Sequence, residues 1–359
     1  MHEILVELGD RSYPIYVGTH TLSTFPEVYT SHHTQRHVAI ITDTNVARLH
    51  LRQLANALRH HGFDVLEIVI PPGERQKSLS RVNSIVSTLL ESEIPRKAAI
   101  IAFGGGVVGD LAGFVAATYR RGVDFIQVPT TFLAQVESAI GGKVAINHPM
   151  GKNILGAYYQ PKFVFSDVYL LSTLPRRETI CGLGELLKYA FLSEEMFCFL
   201  EENLDEVLNT NLDILQEIIV RCNMFKVKLI SEDEREENPT GGRQILNLGH
   251  TIGHALETLS SYKLHHGEAV LVGLRWELHI AREARIIDRN SFAKLEELLR
   301  QVPYEPPLKF LRISNLLKAL YGKKTKAKFV LPKSIGEIVV SDEIDARLVE
   351  PILRNLSKR

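Results

Sequence analysis

Residues 3–17 alternate apolar and polar side chains on either side of Gly9-Asp10, a period of two interrupted by turn residues. This predicts an antiparallel hairpin at the edge of a sheet. Short apolar runs follow, HVAIITD, FDVLEIVI, KAAIIAFGGG and DFIQVPTT, separated by helix-patterned stretches such as VARLHLRQLANALRHHG and LSRVNSIVSTLLESEI. Such alternation predicts a parallel α/β sheet. After Pro175 the texture changes to long amphipathic patterns over 178–200, 204–232 and 245–259, with few strand signals. One short strand pair, KFVLPKSIGEIVV, turns around 332–336, where Pro and Gly cluster. The pattern therefore divides into an α/β domain over residues 1–174 and a mainly α-helical domain over residues 175–359.

Composition agrees with two domains and narrows the partners. A chain of 359 residues with 45% hydrophobic content exceeds what one core usually accommodates. Forty-two basic and forty-two acidic side chains cancel, which argues against a nucleic-acid or anionic-membrane surface and for small-molecule partners. Cys181, Cys198 and Cys222 are odd in number and lack CxxC spacing, so neither a disulfide framework nor a thiolate zinc site is expected. No stretch of about 20 apolar residues occurs, and the first residues lack the pattern of a signal peptide. These features predict a soluble, cytoplasmic protein.

Candidate chemistry begins at Phe103-Gly104-Gly105-Gly106-Val107-Val108-Gly109-Asp110, which follows an apolar strand and leads into a helical pattern. Backbone N–H groups at such a helix start can cradle a pyrophosphate, since missing side chains permit close approach and the helix dipole favours anions. The run is not GxGxxG, and a tight turn alone would also use three glycines. Asp43-Thr44-Asn45 ends one strand with groups able to hold ribose hydroxyls, and Glu74 and Lys77 follow the next. Further on, Gly142-Lys143 and Gly151-Lys152-Asn153 place lysines beside glycines, where little bulk screens them from a phosphate or oxyanion.

The helical half holds GHTIGHALE and LHHGEAV. On a helix His250 and His254 stand at i and i+4, so both imidazoles share a face. The spacing is that of HExxH, but Thr251 replaces the glutamate, which disfavours a metalloprotease. His266 can add a nitrogen. Glu185, in the otherwise apolar GLGELLKYAF with Lys188 nearly a turn later, can add the carboxylate of an open two-histidine, one-glutamate zinc site. Lys226, Arg243, Asn247 and Arg121 supply cationic and amide groups suited to a substrate carrying both phosphate and carboxylate.

Together the stretches TDTN, PGERQK, GGGVVGDLAGFVAATYRRG, VPTTFLAQ, IGGK, GKNILGAYYQP, STLPRRE, GELLKY, DERE, LNLGHTIGHALE and LHHGEAV run in order along nearly the whole chain. In this they resemble the 3-dehydroquinate synthases of the sugar phosphate cyclase family. The resemblance implies a Rossmann-like, NAD-binding N-terminal domain and a helical C-terminal domain holding zinc, with cobalt suited to the same ligands. It implies Glu185, His250 and His266 as metal ligands. Around NAD it places Asp43, Asn45, Glu74, Lys77, Gly105, Gly106, Val107, Val108, Gly109, Asp110, Thr130, Thr131, Lys143, Lys152, Leu170 and Thr173. Substrate contacts would come from Lys143, Lys152, Asn153, Lys188, Lys226, Arg243, Asn247 and His254, with Arg121 reaching across a homodimer. The activity implied is closure of 3-deoxy-D-arabino-heptulosonate 7-phosphate to 3-dehydroquinate with loss of phosphate, NAD being used and regenerated within one turnover.

Three positions depart from the family pattern. Glu137 stands where an aspartate is usual before IGGK, residues 237–240 lengthen the loop after DERE, and Gly322-Lys323-Lys324 replaces Asp-Lys-Lys. Other readings are a cyclitol-forming cyclase acting on a sugar phosphate without a carboxylate, a polyol dehydrogenase that releases NADH, and a non-catalytic NAD-binding relic. Arg243, Asn247 and Lys226 weigh against the first, the phosphate-side lysines against the second, and the retained histidines against the third.

Overall fold

The computed structural model describes residues 1–238 and 241–357. Among the described residues, eleven strands run β1 (His2–Val6), β2 (Tyr13–Gly18), β3 (His37–Asp43), β4 (Asp64–Ile70), β5 (Ala99–Gly104), β6 (Asp124–Pro129), β7 (Lys143–His148), β8 (Gly151–Tyr158), β9 (Phe163–Asp167), β10 (Lys326–Ser334) and β11 (Glu337–Asp345). Seven form one sheet in the order β1-β2-β9-β6-β5-β3-β4. Only β1 and β2 pair antiparallel, as the hairpin pattern predicts, and every other pairing in that sheet is parallel.

The apolar runs are continuous because helices cover both faces of this sheet, so inward positions occur at every residue. Ala39, Ile41, Ile100 and Ala102 point to one core, packed by Val82, Ile85 and Leu89 of the helix Leu79–Glu91 and by Leu111 and Val115 of the helix Gly106–Thr118. Val38, Ile40, Ile101 and Phe103 point to the other, packed by Phe25, Tyr29, Leu54 and Leu58. The connection leaving β3 runs to β4 on one side and that leaving β5 runs to β6 on the other, although β3 and β5 are neighbours. A crevice at such a reversal, beyond the C-terminal strand ends, is where open α/β sheets bind ligands.

Two compact units emerge, Met1–Pro175 with Thr210–Arg235, and Arg176–Asn209 with the chain from Glu236 onward. The sequence pattern places one break near 175 and assigns everything after it to the helical half. The helix Leu212–Glu232 instead belongs with the first unit, because it buries Leu215, Ile218, Ile219 and Ile230 in packing against β1, β2 and the helical turns Ala134–Ser138 and Val168–Thr173. In the second unit the pattern over 178–200 also resolves into two helices, Arg176–Leu192 and Glu194–Leu208. Ser193 separates them by accepting the amide of Met196 as a cap. The stretch 204–232 likewise breaks at Thr210, whose φ is 59°, and Asn211, which caps the following helix.

β10 and β11 form the expected hairpin. β7 and β8 form a second antiparallel pair inside the glycine-rich stretch, where the sequence reading names no strands. Among the described residues no helix is long and apolar enough to cross a membrane, and none of the three cysteines forms a disulfide.

Candidate functional site

Within the first unit, most residues predicted to surround NAD stand at or just past the C-terminal ends of the parallel strands, while Lys143 and Lys152 lie on the antiparallel β7–β8 pair. Asp43 ends β3 and Asn45 follows it, Glu74 and Lys77 follow β4, Gly105 to Asp110 follow β5, Thr130 and Thr131 follow β6, and Leu170 and Thr173 follow β9. Gly105 caps the helix Gly106–Thr118, whose first amides have no partner within the helix. A side chain on Gly105 would press on Thr131 and one on Gly106 on Ser138, so the close approach at this turn requires both glycines. Val108 and Gly109 are buried, and Val108 packs beneath Gly104. Any contribution they make to a cofactor is therefore through the backbone.

A polar cluster occupies one side of this turn. Lys77 is 3% exposed, with Nζ 2.6 Å from Asp110 Oδ2, 2.5 Å from Asn153 Oδ1 and 3.5 Å from Glu74 Oε1. Burial works against its charge, but the carboxylates of Asp110 and Glu74 outweigh that and raise its pKa. Glu74 also accepts from the Asn147 amide at 2.8 Å and lies 4.0 Å from Lys152 Nζ. Asn153 adopts φ 54° and donates its backbone N–H to Asn147. Asp110, Lys143 and Asn153 line a cavity of about 340 Å³ along the β7–β8 ribbon. Thr173 Oγ1 lies 2.8 Å from Nε2 of His50, a residue the sequence reading does not single out.

Asp43 uses its carboxylate to accept the amides of Asn45 and Val46, so it caps the turn that presents Asn45. Arg121 is exposed on a left-handed backbone with φ 68°. Lys226 is buried, in contrast to an ordinary surface lysine, and its Nζ lies 2.8 Å from Glu137 Oε1 and 2.5 Å from the Glu137 carbonyl. The longer side chain at 137 thus engages a predicted substrate residue directly.

The metal candidates converge in the second unit. The helix Arg176–Leu192 carries Glu185 at its middle. His250 opens the helix His250–Leu259 and His266 opens the helix His266–Glu283. Glu185 is wholly buried, with Oε1 3.2 Å from His250 Nε2 and 2.9 Å from His266 Nε2, and Oε2 2.7 Å from Lys188 Nζ. Burial alone would raise its pKa, yet the Lys188 ammonium and the two imidazoles hold it well below the usual carboxylate range. Burial pulls His266 the other way, and the carboxylates of Glu185 and Glu257 prevail, pushing it up to about 9.

One oxygen and two nitrogens from residues of three helices therefore face a common centre, all within 4.8 Å of one another. Two neutral imidazoles and one carboxylate are the donor set of an open zinc or cobalt site, and a cation bound there would displace the proton that His266 shares with Glu185. His254 is exposed one turn beyond His250, with its ring centroid 5.2 Å from that of His250 and 5.8 Å from that of His266. Arg243 is buried, and Asn247 donates to Glu236 at 2.5 Å. Lys323 and Lys324 line a separate basic cavity with Lys326 and Lys328. Of the lengthened loop, Pro239 and Thr240 lie outside the described residues.

Two buried carboxylates at this centre escape the sequence reading. Glu257 meets His266, and Glu277 accepts the amides of Gly249 at 2.6 Å and Ile252 at 3.1 Å. The available signal for Glu257 is its spacing, seven residues after His250 and three after His254, which returns it to the same helical face.

A family model described as 3-dehydroquinate synthase N-terminal matches residues 67–181, and one described as 3-dehydroquinate synthase C-terminal matches residues 182–326. A 3-dehydroquinate synthase of Caldanaerobacter subterraneus subsp. tengcongensis is 42% identical over 344 residues, covering 94% of this chain and 96% of its own. One from Desulforamulus reducens is 41% identical, covering 96% of this chain and 97% of its own. Among solved structures, 2-deoxy-scyllo-inosose synthase complexed with carbaglucose-6-phosphate, NAD+ and Co2+ aligns with a TM-score of 0.89 at 26% identity, covering 99% of this chain and all of that one.

Proposed function

The chain belongs to the 3-dehydroquinate synthase family, and from that premise we propose which of its residues carry the family's reaction. It is a lyase-type cyclase that converts 3-deoxy-D-arabino-heptulosonate 7-phosphate to 3-dehydroquinate and phosphate, in the shikimate route to aromatic amino acids. The observation that carries the assignment of the centre is the meeting of Glu185, His250 and His266 around one point. When bound, a divalent metal at these three residues supplies polarisation of the hydroxyl to be oxidised, and NAD at the strand ends of the first unit supplies a hydride acceptor that later returns the hydride.

The remaining chemistry falls to side chains of this chain. On the first unit, Lys152 and Asn153, with Arg121 from the second subunit of a homodimer, hold the phosphate and stabilise its charge as it leaves. Lys143 adds a further cation beside the same ribbon. Lys226, already desolvated and paired with Glu137, is poised as a point charge for the substrate carboxylate. On the second unit, Arg243 and Asn247 offer a cation and an amide to an anionic substrate, and the buried Lys188 orients a hydroxyl while it holds Glu185 ionised. His254, exposed and one helical turn from His250, handles protons during elimination and ring closure as a general acid–base imidazole. A cytoplasmic location agrees with these small-molecule roles.

Supplied with metal and catalytic NAD, the protein should release phosphate from the heptulosonate phosphate with no build-up of NADH absorbance. Sedoheptulose 7-phosphate, which lacks the carboxylate, should release little in parallel. Preference for sedoheptulose 7-phosphate would instead make it a cyclitol-forming enzyme, and stoichiometric NADH would make it a dehydrogenase.

A further inference from the structure

Glu257 has no part in the roles given above, yet it is 3% exposed and lies against a proposed ligand. Its Oε2 stands 2.9 Å from His266 Nδ1, while the opposite nitrogen of that ring, Nε2, stands 2.9 Å from Glu185 Oε1. A neutral imidazole carries one proton. For Nε2 to present a lone pair to a cation, the proton must reside on Nδ1 and needs an acceptor there. His250 solves the same problem with backbone, its Nδ1 lying 3.0 Å from the Leu248 carbonyl while Nε2 faces Glu185. The two rings are thus oriented alike, one by a main-chain oxygen and one by a buried carboxylate.

We propose that Glu257 is a positioning residue of the metal centre: it accepts the Nδ1 proton of His266, fixes the ring's tautomer and rotation, and makes Nε2 the stronger donor. This rests on the reading that Glu185, His250 and His266 hold the cation. A rival arrangement exists, because Glu257, His254 and His266 also bring ligand atoms within 4.8 Å of one another. The rival would draw His266 through Nδ1 and leave Glu185 and His250 without that ring. The paired orientation of the two histidines toward Glu185 favours the positioning role.

The test is metal affinity, measured by competition with a chelator, in Glu257→Gln and Glu257→Ala protein, together with the visible spectrum of the cobalt-loaded forms. Glu257→Ala should retain one metal per chain with affinity lowered about 10- to 100-fold. Glu257→Gln, which keeps an acceptor oxygen, should lose less, and the cobalt spectrum should keep its band pattern in both. In a His266→Ala background, Glu257→Ala should lower affinity no further, since its effect passes through that ring. Unchanged affinity in Glu257→Ala, or a full additional loss in the double variant, overturns the positioning role. Loss of all metal from Glu257→Ala with retention in His250→Ala would place the cation on the rival set, and the reading of the centre itself would fall. If the alanine variant fails to fold by circular dichroism, the near-isosteric glutamine variant decides by the same affinity criterion.

Discussion

Gly184 and Gly267 face each other so closely that a Cβ on Gly184 would overlap the carbonyl oxygen of Gly267. The helices Arg176–Leu192 and His266–Glu283 meet backbone to backbone at this point, one residue before Glu185 and one after His266. Gly273 repeats the device against the carbonyl of Gly249, drawing the His250 helix to the same partner. The short Glu185 to histidine distances depend on these approaches, so Gly184→Ala should push two helices apart where the proposed ligands stand. Overpacking a core commonly costs about 1–3 kcal/mol. Stability in denaturant should fall by at least that much, and metal measured by elemental analysis should drop below one per chain. Full metal content in a stable Gly184→Ala protein would mean the helices yield without disturbing the ligands.

His250 and His254 share a helical face but should behave differently. His250→Ala should lose bound metal and phosphate release together, whereas His254→Ala should keep metal at one per chain and lose turnover by roughly 100- to 10,000-fold, the range of a proton-transfer group. Retention of stoichiometric zinc and activity by both variants would dismiss the site.

Lys77 is the most deeply buried cation of the polar cluster beside the Gly105 turn, and it pairs with Asp110. Lys77→Met should leave that carboxylate without its cation and Asn153 without its donor. Stability should fall by about 3 kcal/mol, the scale for breaking a buried pair. NAD affinity, followed by fluorescence titration, should fall as well, while metal content stays unchanged because the lysine belongs to the other unit. Undiminished NAD binding would remove Lys77 and Asp110 from the cofactor site.

Glu277 gives a pH signature. Burial pushes its carboxyl up to about 8, and the backbone amides of Ile252, Gly249 and Thr251 only partly offset that. The folded pKa therefore exceeds the unfolded one, so the folded state holds a proton that the unfolded state has released. Its contribution to stability is complete below about pH 4.3, the ordinary glutamate value, and declines as pH rises toward 8. In chelator-treated protein, Glu277→Gln should flatten that decline in denaturation midpoints measured across the interval. Glu277→Ala should destabilise at every pH, because the buried amides of Gly249 and Ile252 lose their acceptor at about 1–3 kcal/mol each. An identical slope in wild type and Glu277→Gln would show that other groups set the pH dependence.

Local pattern alone determined much of this protein. Runs such as HVAIITD and KAAIIAFGGG read as strands because a sheet covered on both faces leaves a continuous apolar trace. The two histidines four apart and a lone carboxylate in an apolar helix were also legible, since helical spacing and the cost of burying charge are written in adjacent residues. Tertiary structure alone decided the rest. Nothing near Leu212–Glu232 reveals that its apolar stripe packs on β1 and β2 instead of on the other helices, because an amphipathic face does not name its partner. The β7–β8 ribbon hides among glycines whose weak strand preference masks its pairing. Glu257 and Glu277 look in sequence like any solvated glutamate. They become parts of the centre only when glycine contacts bring the helices together and remove water from around them.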